Sequence, residues 1–258
     1  MSASSYAIRD SVTMLERDLR RALRFPLMTL SGIFMPLLML LFFVNVFGGA
    51  MSAGLGIGSY IDYIAPAIII MAVCSGSALT AVNVSSDMTD GIMARFRTMS
   101  IFRPAVLVGS VFGSTIRTLI GVGLVIAAAM LMGFQPVASP IRWAFAIVII
   151  ALLTFAIQWL AVAIGLLSKS AGGANAATLP LQFAPFVSSA FVDPASMPQG
   201  LAWFAQHQPF TPIIDTIRGL LVNAPLDNSF FVAILWCIDM ALIGYFWAGA
   251  VYNRAPAR

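Results

Sequence analysis

Long stretches of this chain carry no charge at all, and they constrain its fold more than any other feature. Residues 25–61, 63–86, 118–141, 143–168 and 170–192 contain no Asp, Glu, Lys or Arg, and 228–253 contains only Asp239. A helix needs about 20 apolar residues to cross a bilayer, so these runs have room for about six spans and little else. Composition agrees. Of 258 residues, 60% are hydrophobic and 9% charged, where a soluble domain carries about 25% charge. Such a chain must satisfy its backbone polar groups inside helices. The runs are apolar throughout rather than alternating, so a transmembrane β-barrel fits poorly. A soluble enzyme, a disordered chain and a nucleic-acid-binding domain are excluded on the same grounds.

The chain therefore reads as one all-α membrane domain, 1–258, with six transmembrane helices. The expected spans are 25–47 with Pro36 inside, 60–84, 105–134, 143–167, a short 174–192 carrying Pro180 and Pro185, and 229–252. Ahead of them, Ile8, Val12, Leu15, Leu19 and Leu23 form one helical stripe. Arg9, Glu16, Arg17, Arg20 and Arg21 fall mainly off it, which predicts an amphipathic basic helix over 5–24 lying at an anionic membrane surface. The segment 193–227 is too apolar for water. Its stretch 211–222 has helical spacing with Pro212 at the start, so short helices dipping into the outer leaflet are expected there.

Orientation follows from the basic residues. With the N-terminus inside, eleven Arg and Lys fall on the inner side, and only Arg142 and Arg218 on the outer side. That bias places both termini in the cytoplasm, in agreement with an even number of spans. The net charge of +4 is thus a matter of topology.

No residue set looks catalytic. His207 is the only histidine, Lys169 the only lysine, and no phosphate-binding GxxxxGK[ST] loop exists. Energy for any transport must come from an ion gradient or another subunit. Cys74 and Cys237 sit inside apolar runs and read as small core residues. Two charges, Arg117 and Asp239, fall near mid-depth. They could pair with each other, could contact a substrate, or could be accommodated separately, Arg117 by snorkelling and Asp239 in a local polar pocket. The cytoplasmic segment 85–104 holds Asp87, Asp90, Gly91, Arg95, Phe96, Arg97 and Arg103. Acids first and bases last suit a short helix dipole. The segment reads either as a helix that docks in a partner's groove or as an ordinary positive-inside loop.

Three stretches carry a resemblance: DMTDGIMARFRTMSIFRPAVLVGS (87–110), FVSSAFVDPASMP (186–198) and AQHQPFTPIIDTIRGLL (205–221). With the six-span layout, they make nearly the whole chain resemble a type 2 ABC exporter permease of the daunorubicin-resistance kind. The motifs are fairly specific to that permease type and name no substrate. Ser100 and Asp215 stand where that family often has Pro and Glu.

The resemblance implies that 5–24 is a connecting helix, 87–103 a coupling helix docking on a separate ATP-binding subunit, and 193–227 the extracellular re-entrant helices. The coupling residues would be Asp87, Asp90, Gly91, Arg95, Phe96, Arg97 and Arg103. This chain would bind no cofactor itself; ATP and Mg would sit on the partner. The working unit would be two permeases, identical or sister chains, with two ATPases, embedded among membrane lipids of the cytoplasmic membrane. Alternating access would move a hydrophobic small molecule, a drug, antibiotic or lipid, outward along a cavity lined by spans 1, 2 and 5. Met39, Phe42, Phe43, Phe183 and Phe186 would offer it an adaptable apolar surface, unless they serve only core packing or face lipid. A polysaccharide or glycolipid exporter of the same family is an alternative, ranked lower because spans 1 and 5 are mainly aliphatic and Phe. From a different class, an ion-coupled secondary carrier would need no ATP and would depend on Asp239. A membrane enzyme or assembly factor is a third possibility, against which the lack of clustered polar residues in the spans argues.

Overall fold

The computed structural model describes residues 24, 26–49, 60–90, 103–192, 194–224 and 228–254. The basic helix expected over 5–24, apart from its last residue, lies outside the described residues, as do Gly91, Arg95, Phe96 and Arg97. All regular structure among the described residues is helical: α1 (Pro26–Phe42), α2 (Tyr60–Thr89), α3 (Arg103–Leu131), α4 (Pro140–Leu167), α5 (Ala171–Phe183), α6 (Gln199–His207), α7 (Phe210–Leu221) and α8 (Ser229–Arg254). A π-helical turn, Phe43–Phe47, continues α1, and 3-10 turns at Ala184–Val187 and Pro194–Ser196 follow α5.

Helices α2, α3, α4 and α8 are long and apolar enough to cross a membrane. The other two expected spans are shorter as helices. The 13 residues of α5 reach roughly 20 Å at 1.5 Å per residue, less than a hydrocarbon core of about 30 Å. The helix gives way to a 3-10 turn where Pro185 removes a backbone donor. The expected helix over 211–222 is present as α7.

Helix α2 is the hub, packed by α1, α3, α4, α5 and α7. From Ile64 to Val73 every residue is buried, the pattern of a helix apolar on all sides. Between helices in lipid there is little hydrophobic drive, so close packing of small residues has to supply the attraction. Four glycines sit where it does so. A Cβ on Gly76 would lie 2.5 Å from Thr118 Oγ1, one on Gly121 2.9 Å from Ile33 Cγ1, one on Gly165 2.6 Å from the Ala81 carbonyl oxygen, and one on Gly244 2.7 Å from Trp159 Cβ. These contacts set the crossings α2–α3, α3–α1, α4–α2 and α8–α4.

After α5, α7 buries Phe210, Ile213, Ile214, Ile217, Leu220 and Leu221 against α8, α4 and α2. It ends in a Schellman turn: Asn223 takes φ 61°, and the amide of Ala224 donates to the Gly219 carbonyl at 3.0 Å.

Candidate functional site

Four of the five residues named above for the substrate path come together in one aromatic run. Phe183 meets Phe186 at 5.6 Å between ring centroids, Phe186 stacks on Phe191 at 5.2 Å, and Phe191 meets Phe43 at 4.8 Å. Phe43 in turn touches Phe42 and Phe47, which touch each other. The run joins the far end of α1 to the far end of α5. It is open to the outside: Phe42 is 50% and Phe183 58% exposed. Met39 is half-buried one turn below and packs on the main core. Sequence reasoning missed Phe47 and Phe191. Each sits at the edge of a span and has nothing in its local pattern to mark it.

The π turn positions these rings. One residue is inserted into the helical register at Phe43–Phe47, which swings the last aromatics of α1 toward α5. Asn45 answers the disturbed backbone by donating from Nδ2 to the Leu41 carbonyl at 2.8 Å. Such π turns gather at functional sites.

The bundle centre holds a polar cluster. Arg117 on α3 is 8% exposed and donates from Nη2 to Thr80 Oγ1 at 3.2 Å and Ser114 Oγ at 3.1 Å. Thr118 accepts from Gln158 Nε2 of α4 at 3.0 Å. Beside them lies a cavity of about 20 Å³ lined by Gly32, Ile33, Ala72, Gly76, Leu79, Arg117, Thr118 and Gly121, room for about one water. Arg117 and Asp239 do not pair. Arg117 faces inward among α2 and α3 hydroxyls, whereas Asp239 lies on the exposed flank of α8, off the buried stripe Ala233, Cys237, Met240, Gly244, Ala248. Helix α4 packs against both α3 and α8.

The QPFTP…RGLL stretch forms a clasp. Gln208 donates to the Val187 carbonyl. The hydroxyl of Thr211 donates to the Ala205 carbonyl and accepts from the Ser189 amide. Arg218 donates to Asp215 at 2.9 Å, to the Ser189 carbonyl at 2.9 Å and to the Tyr63 carbonyl at 3.3 Å, and its guanidinium lies 4.1 Å over the Tyr63 ring. Ser189 donates to the same Asp215 oxygen at 2.7 Å. Asp215, shorter than the Glu expected there, therefore still bridges two partners. Arg142, with Arg218 one of the two basic residues the sequence places outside, donates to the Gly219 and Ala224 carbonyls at 3.3 and 2.7 Å, at the negative end of the α7 dipole.

On the opposite side, Asp87 is buried at 5% exposure and Asp90 is exposed, its amide donating to the Ser86 carbonyl at 2.9 Å. Arg103 is the first residue of α3. Ser85 Oγ donates to the Ser168 carbonyl at 3.4 Å, tying the end of α2 to the α4–α5 turn. Of the expected coupling segment, the described residues thus show only its two shoulders.

Comparison with known proteins follows the same lines. The model of the ABC-2 type transporter family matches residues 10–222. The chain is 24% identical over 248 residues to the daunorubicin resistance ABC transporter permease protein DrrB1 of Streptomyces coeruleorubidus, covering 95% of this chain and 85% of that one. It is 21% identical over 257 residues to the doxorubicin resistance ABC transporter permease protein DrrC of Mycobacterium tuberculosis, covering 98% of this chain and 92% of that one.

Proposed function

The chain belongs to the ABC-2 type transporter family, and on that premise we propose that it is the membrane-spanning subunit of an ATP-driven exporter for an apolar, aromatic-rich compound. A separate ATP-binding subunit supplies the energy, and a second permease, a copy or a sister chain, completes the pathway. The full topology is six spans with both termini in the cytoplasm: α1 with its π turn and α5 with its 3-10 turn complete the set begun by α2, α3, α4 and α8. Residues 87–103 couple to the ATPase, and ATP and Mg act there rather than on this chain. Substrate leaves the inner leaflet or cytosol and is released outside by alternating access.

The observation that carries this reading is the phenyl run Phe47–Phe42–Phe43–Phe191–Phe186–Phe183. It is uncharged, partly exposed and built at the ends of α1 and α5 and in the turns that follow them. A surface of this kind favours flat apolar ligands through stacking and edge contacts, and it tolerates variety because no hydrogen bond fixes one pose. A sugar-lipid exporter would call for polar groups among the rings, so the drug or lipid reading is preferred.

The test is uptake of a fluorescent planar hydrophobic compound into inside-out vesicles containing this chain and its ATP-binding partner. We expect ATP-dependent uptake that drops when Phe43 and Phe186 are both changed to Ala, and that vanishes with Arg95→Glu together with loss of the co-purifying ATPase. Uptake that ignores ATP and follows an imposed ion gradient, failing on Asp239→Asn, would replace this reading with an ion-coupled carrier.

A further inference from the structure

Asp239 is the odd residue of α8. It stands ten residues from Ser229 and fifteen from Arg254, the two ends of the helix, which is roughly 15 and 22 Å along the axis. It is exposed and has no hydrogen-bond or ion-pair partner among the described residues. Its neighbours on that flank, Leu235, Leu242, Ile243 and Phe246, are all exposed by half or more. A carboxylate set among them at this depth faces hydrocarbon, which offers no donor.

The described residues offer it no remedy. Long Lys and Arg side chains reach the headgroups from inside a bilayer; an aspartate, with one methylene, does not cover 15 Å. Arg117 is enclosed on the other side of α4. Arg254 is four turns away. A second copy packed side by side through this flank would bring Asp239 opposite Asp239 and set like charges together. A small soluble ligand is disfavoured by shape, because the flank of a single helix is convex. What fits a convex apolar helix flank is another helix, and what an intramembrane acid requires there is a cation.

We propose that the bare flank of α8 around Asp239 docks a separate membrane-spanning chain, not a copy of this one, whose helix carries a Lys or Arg at the depth of Asp239. The interaction is independent of the export reading. The aromatic run lies at the ends of α1 and α5 and in the turns after them; α1 and α5 pack on α2, whereas α8 is held by α4 and α7.

The experiment places the photoreactive residue p-benzoylphenylalanine at Leu242 in the full chain, irradiates native membranes, and identifies the adduct by mass. The expected adduct is with one other membrane chain that has a Lys or Arg at mid-span. Asp239→Leu, which only makes an exposed site more apolar, should leave the chain's own yield and stability intact and cut the adduct about fivefold or more, in line with a polar interhelical contact. Asp239→Lys should abolish it, and an Asp in place of the partner's cation should restore it. An adduct at twice the chain's mass, adducts with lipid alone, or an adduct yield unchanged by Asp239→Leu would each overturn the proposal.

Discussion

Gly165→Ala tests whether the close crossing of α4 and α2 holds the bundle together. The new methyl carbon would lie 2.6 Å from the Ala81 carbonyl oxygen, 2.9 Å from Val84 Cβ and 3.1 Å from Ala81 Cα. Two of those three atoms are backbone, so no rotamer can relieve them. A carbon–oxygen contact settles at roughly 3.3 Å or more, so the helices must part by about 0.7 Å at this level. Overpacking of that kind costs about 1–3 kcal/mol. The same wedge would stretch the Ser85–Ser168 bond, already 3.4 Å. Gly123→Ala on α3 is the internal control: a Cβ there meets nothing within 4 Å, and better helix propensity should leave stability equal or up to about 1 kcal/mol higher. The assay is unfolding of both variants in mixed micelles, followed by helical circular dichroism. Gly165→Ala matching Gly123→Ala would show that the crossing is not under contact pressure, and the role assigned to the four glycines would fall with it.

Three other outcomes are expected. Arg218→Gln removes bonds to Asp215, Ser189 and Tyr63 at once and should cost about 2–4 kcal/mol at about 1 kcal/mol or more per bond; Arg218→Lys should not restore it, because a lysine lacks the planar fork. Protease accessibility of α6 and α7 in purified protein reads this directly. Arg142→Ala takes one donor from the Gly219 carbonyl, which keeps the Ala224 amide, and one from the Ala224 carbonyl just past α7, and should cost about 1–2 kcal/mol, with melting of purified protein as the measure. Phe191→Ala, which cuts the aromatic run at its middle, should lower uptake of the planar compound about threefold to tenfold while purified protein keeps its melting temperature within a few degrees; a larger loss of stability than of uptake would assign Phe191 to packing alone.

The four long helices were legible because their signal is local: each is an apolar run longer than a bilayer requires, interrupted inside the span at most by one charge, Arg117 in α3 and Asp239 in α8, and propensity has little to add. The weaker spans were legible as apolar segments but not as helices of a given length, since where α5 turns into a 3-10 turn depends on how Pro185 sits against α7 and the 188–190 turn. For the site, residue type pointed to Phe42, Phe43, Phe183 and Phe186, but Phe191 enters only through contacts with rings far away in sequence. No periodicity encodes such contacts. The same holds for the glycines: of the twenty in the chain, those at helix crossings are distinguished only by their partners.

The sequence leaves Arg117 and Asp239 open between pairing, substrate contact and separate accommodation, and Arg117 bonds to Thr80 and Ser114 while Asp239 lies on the exposed flank of α8. The cost of a buried charge was judged correctly, but an opposite charge is not the only means of offsetting it. Hydroxyls on the same and the next helix contribute to it without adding a second desolvated ion, and Ser114, three residues before Arg117, was within view as an i,i+3 neighbour. Asp239 has no such neighbours: Leu235, Trp236, Leu242 and Ile243 flank it at three and four residues. Arg117 is held inside the bundle by bonds that include those to Thr80 and Ser114, whereas the surroundings of Asp239 send it outside the bundle for a partner, and that difference separates an intramembrane charge that serves the fold from one that serves assembly.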